Sequence, residues 1–160
     1  MDNLIESLLS LDDKNFNSET TKKVEIKRLT KATGSPFYVT IKSLEPARIY
    51  EVQDKSLDGK GNVSMNRFYK GALESCSEAI IEPNFNDERL KKKFHLHEKA
   101  LKIEVLKKVF KVSEINHINS EIMSISGFDE ATNVETNEIG EDTDNKYPQG
   151  EELVKELKKD

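Results

Sequence analysis

The chain has 160 residues, of which 35% are hydrophobic and 34% charged, with no tryptophan and a formal charge of −5 at pH 7. That length allows one domain around one modest core, and a chain this polar leaves part of its length outside that core. From Asp129 onward the sequence holds eleven acidic and four basic side chains, a balance of −7, which leaves Met1–Phe128 at +2. The acid is therefore concentrated in the tail rather than on the folded part.

Cys76 is the only cysteine, which excludes an intramolecular disulfide and a cysteine-based zinc cluster and suits a reducing compartment. Neither a basic signal-peptide start nor a membrane-length apolar run is present, so a soluble protein of the cytoplasm is expected.

At the N-terminus, Leu4, Ile5, Leu8, Leu9 and Leu11 share one face of a short helix, which Asp12-Asp13-Lys14-Asn15 ends. The polar stretch 15–21 reads as a linker, so residues 1–21 form an amphipathic helix with its tether. The period then changes to two. Val24, Ile26 and Arg28 alternate with polar residues, as do Phe37, Val39 and Ile41, with a turn-rich link from Lys31 to Pro36 between them. This predicts an antiparallel hairpin with one buried face, which must pack on the helices that follow.

Pro46 suits the first turn of a helix running to about Leu57, and Asp58-Gly59-Lys60-Gly61-Asn62 breaks it. From Ser64 a stripe of Phe68, Ala72, Cys76 and Ala79 or Ile80 predicts a longer helix stopped by Pro83. Asn86 is a candidate N-cap, with Phe85 and Leu90 placed for a hydrophobic staple. Ala100, Ile103, Leu106, Val109 and Phe110 mark another short helix. Ser113 is placed to cap a last one bearing Ile115, Ile118, Ile122 and Ile125, closed by Gly127. The predicted fold class is α+β, mostly α: a short N-terminal helix, then an antiparallel hairpin on about five helices over residues 22–128. Residues 129–160 read as a flexible acidic tail, in which Leu153, Val154 and Leu157 could form a short terminal helix.

Chemistry-bearing motifs are scarce. No phosphate-binding loop or dinucleotide fingerprint occurs, and Asp58-Gly59-Lys60-Gly61 reads as an interhelical turn. His95, His97 and His117 lack zinc-finger spacing, so no metal or other cofactor is expected. Cys76 reads as a buried structural thiol. Lys91-Lys92-Lys93 and Lys107-Lys108 with Lys111 read as solvated helix faces, without the aromatic interleaving of single-strand binders. No carboxylate pair stands out as acid and base, and an enzyme is not expected.

Two apolar features remain as candidate partner-binding sites. The first is the N-terminal face of Leu4, Ile5, Leu8, Leu9 and Leu11, which either folds back onto the core or docks in a partner's groove. The second is Leu153, Val154 and Leu157, at the end of a tail that is either solubilising or folds on binding.

The order of these elements resembles a known family. A short leucine-rich helix precedes the run Val24-Glu25-Ile26-Lys27-Arg28-Leu29-Thr30-Lys31, and Ile81-Glu82-Pro83-Asn84-Phe85-Asn86-Asp87 follows in a helix-rich middle. The closing block runs from Val112 to Ser126-Gly127-Phe128. Together these resemble the XkdN-like tail assembly chaperones of contractile-tailed phages, prophages and phage-tail-like bacteriocins. The C-terminal block of that family reads Gly-Glu-Ile and ends in Ser-Gly-Phe or Ser-Gly-Tyr. Here Glu114-Ile115 and Ser126-Gly127-Phe128 match, with Ser113 in the place of the glycine.

The resemblance implies a non-enzymatic chaperone of the host cytoplasm, absent from the mature particle. Its client would be the tape measure protein, with the tail tube protein as a further partner that displaces it. In related systems a ribosomal frameshift makes a longer product, and Lys158-Lys159 is compatible with a slippery run in the coding sequence. The alternative is a small phage or bacterial regulator acting through protein or nucleic-acid contact. A steep loss of binding with salt would mark a nucleic-acid partner.

Overall fold

The computed structural model describes residues 2–17 and 19–128. Eight α-helices and three strands follow in the order α1 (Asp2–Leu9), α2 (Lys14–Asn17), β1 (Thr21–Glu25), α3 (Lys27–Thr33), β2 (Tyr38–Lys42), α4 (Pro46–Asp54), α5 (Met65–Ala79), β3 (Ile80–Glu82), α6 (Glu88–Lys93), α7 (Lys102–Val109) and α8 (Val112–Met123). A closing π-type turn, Ser124–Phe128, breaks from helical backbone at Gly127, whose φ of +97° glycine adopts without penalty. The α+β, mostly helical class is as the sequence predicts.

The hairpin pairs with Val24 opposite Val39 and Lys22 opposite Ile41. Val24, Ile26, Val39 and Ile41 are buried, so the alternation reports the buried face correctly. Two details differ from expectation. The first strand ends at Glu25, and the link is helical rather than a plain turn. The Ile26 carbonyl accepts from the N–H groups of Leu29 and Thr30, and Gly34 at φ +78° closes α3. The hairpin is also not alone: β3 adds a third antiparallel strand beside β2, pairing Ile80 with Ile41, with a register irregularity between Thr40 and Ile41. The long helix accordingly stops at Ala79, before the cis Glu82–Pro83 bond rather than at it.

The sheet packs on α5, α7 and α8 through one cluster that includes Leu73, Cys76, Phe85, Leu106, Ile115 and Ile118. Phe85 and Phe110 meet edge to face at 5.4 Å. In α5, Gly71 allows close approach of α4: a Cβ there would stand 3.1 Å from Val52 Cγ1. Ser64 caps α5, with its hydroxyl accepting from the Arg67 N–H. The two predicted caps both shift. Asp87, not Asn86, caps α6, accepting from the Arg89 N–H at 2.8 Å, which places Phe85 one residue too far back for a staple; it is instead a core residue. At α8 the N-cap is Lys111, not Ser113, and Glu114 Oε1 accepts from the Lys111 N–H at 2.8 Å.

Ion pairs tie distant segments together. Arg28 donates to both carboxylate oxygens of Glu114, at 2.7 to 3.2 Å, and to the Val109 carbonyl at 2.8 Å. Lys22 pairs with Glu121, and the Leu44 N–H donates to Ser126 Oγ at 2.9 Å. Arg48 of α4 pairs with Glu51, Glu74 and Glu78, and Lys55 donates to Glu74 at 2.9 Å.

Burial opposes the charge on Glu114, but the hydrogen bonds from Arg28 and the Lys111 backbone outweigh it, and the carboxyl is held below its ordinary 4.5. A folded value below the unfolded one contributes stability above about pH 4.5, and that contribution is lost as pH falls through the folded value. Arg28 is over a third exposed, so solvent screening limits the pair to about 1 kcal/mol. Urea melts at falling pH should show Glu114→Gln less stable than the parent at neutral pH, with the difference shrinking below pH 4.5. A difference that persists into strong acid would contradict this account.

Candidate functional site

The described residues hold little machinery for chemistry. No group of three His, Cys, Asp or Glu side chains among them is arranged to hold a metal. His95 takes a positive φ of 58°, His97 Nδ1 accepts from the Lys99 N–H at 3.0 Å, and His117 lies apart on α8. No described helix is long and apolar enough to cross a membrane.

Cys76 is fully buried, and burial pushes its thiol up to about 12, partly offset by the charge of Lys102. That cation was not evident in the sequence. Lys102 donates to the Ile80 carbonyl at 2.6 Å, with its own pKa lowered by burial and by Lys42. A thiol reagent should leave Cys76 unmodified in the native protein and react on unfolding; rapid native labelling would show that the core opens there.

The lysine runs divide. Lys91 is buried and its ammonium donates to the Glu98 carbonyl at 3.1 Å, whereas Lys92, Lys93, Lys107, Lys108 and Lys111 are exposed.

What the structure does present is apolar surface. On α1 and just beyond it, Leu4, Ile5, Leu8, Leu9 and Leu11 are 46–73% exposed, and Phe16 on α2 is also exposed. None of these five side chains is among the buried core residues. Leu153, Val154 and Leu157 lie outside the described residues.

A second apolar region was missed. A small crevice of about 40 Å³ lies between α4, α5 and α8. Ile49, Val52, Ala72 and Ile122 line it, with Phe68 and Met123 also contributing. Phe68, which the helical stripe assigns to the core, is 40% exposed, and Tyr50, Val63 and Met65 nearby in sequence are exposed as well. Phe68 stands at the exposed start of its stripe, one turn before the buried Ala72, and Val63 precedes α5 altogether.

The arrangement is a small, mostly helical α+β domain with apolar side chains on its surface. Residues 5–140 match the sequence profile of the phage XkdN-like tail assembly chaperone proteins, most of the chain's length. The chain belongs to that family. Among solved structures, it is similar to the crystal structure of the protein yqbn, a structural genomics target, at 24% identity and a TM-score of 0.42, over 68% of this chain and 87% of that one. No curated protein matches the sequence.

Proposed function

We propose that this protein acts without catalysis, binding the tape measure protein of a contractile tail and keeping it soluble in the host cytoplasm until tube subunits polymerise around it. The observation that carries the reading is the α1 face: in a member of a tail assembly chaperone family, a helix with all its large apolar residues exposed is suited to lie against an apolar helix of a client. A long helical client has repeated apolar faces, and covering them prevents aggregation. Moderate affinity lets the tail tube protein displace the chaperone at assembly, so that none remains in the finished particle. Acidic residues beyond Phe128 add net negative charge to each complex, which keeps neighbouring complexes apart. Leu153, Val154 and Leu157 supply a second apolar segment for the same client.

The test is co-expression with the tape measure protein encoded nearby, followed by size exclusion at two salt concentrations. A client that is insoluble alone is expected to co-elute with this protein, and the complex should hold at the higher salt, as apolar contacts do. A client left in the pellet overturns the reading. The exposed Lys107, Lys108 and Lys111 then make nucleic acid the next partner to assay, with steep salt dependence as its mark.

A further inference from the structure

We draw no further inference here: the strongest candidate, the exposed apolar face of α1 formed by Leu4, Ile5, Leu8 and Leu9, carries nothing beyond the client contact proposed above, because nothing in the structure shows what covers it.

Discussion

Replacing Phe85 by alanine is expected to destabilise the domain by about 4 kcal/mol, the largest effect of any single truncation here. Phe85 is 2% exposed and among the largest fully enclosed side chains, at a place where the chain between β3 and α6 turns under the core. Its loss removes apolar transfer energy, leaves a cavity that rigid neighbours refill only partly, and deletes the edge-to-face contact with Phe110, itself about 1 kcal/mol. Against a total stability of about 5–15 kcal/mol, this takes a large share. Thermal unfolding should show a midpoint lowered by about 15 °C. Phe85→Leu, which keeps most of the volume, should lose less than half as much. Equal losses for the two variants would mean that the ring's shape rather than its volume is what the core uses.

The second large effect concerns binding rather than folding. Leu8→Asp and Leu9→Asp should leave the melting temperature of the domain within a degree or two, because both side chains are more than half exposed and contribute little to the core. On the proposed function, the same changes should abolish co-elution with the tape measure protein, since an aspartate in an apolar contact carries an uncompensated desolvation cost. Comparing the two readouts on one sample separates the possibilities. Loss of client with an unchanged melt places the contact on α1; loss of both means that the arm belongs to the core in solution; loss of neither moves the contact elsewhere, and the crevice around Phe68 becomes the next target.

Much of this architecture was legible wherever a period ran long enough. The stripe of Ala72, Cys76 and Ala79 and the series Ile115, Ile118 and Ile122 are all buried, because a helix of three or more turns repeats its apolar face often enough to be read. β3 was not legible. It has three residues, two of them isoleucines that continue the helical run before them, and only the chance to pair with Thr40 and Ile41 makes them a strand. α3 escaped for a similar reason: Leu29 is its one large apolar residue and is only half-buried, so tertiary placement rather than pattern decides it.

The caps show the limits of local chemistry. Asn86 and Asp87 are equally good caps, and so is Ser113; the choice of Asp87 and Lys111 follows from where the preceding chain enters. The apolar face of α1 was legible as a face, because a short helix with no second polar-to-apolar change has only one way to be amphipathic. The crevice was not legible, because it is a property of three helices together and has no signature in any one of them.

The pairs Arg28–Glu114, Lys22–Glu121 and Leu44–Ser126 join the hairpin and its flanks to α8 and the closing turn, across 82 to 99 positions of chain. Synthesis therefore delivers the parts in an awkward order. The α1 arm leaves the ribosome first, while the sheet it precedes lacks the helix that roofs it until residues near 126 have emerged. Contacts of such wide separation form late, once loop closure has been overcome. Throughout that interval the nascent chain carries an exposed apolar arm on an unfinished body, and a fragment ending before Ser113 would retain the arm while losing every one of these fastenings. The last fastenings on the sheet and its flanks are thus supplied by the gene's 3′ portion.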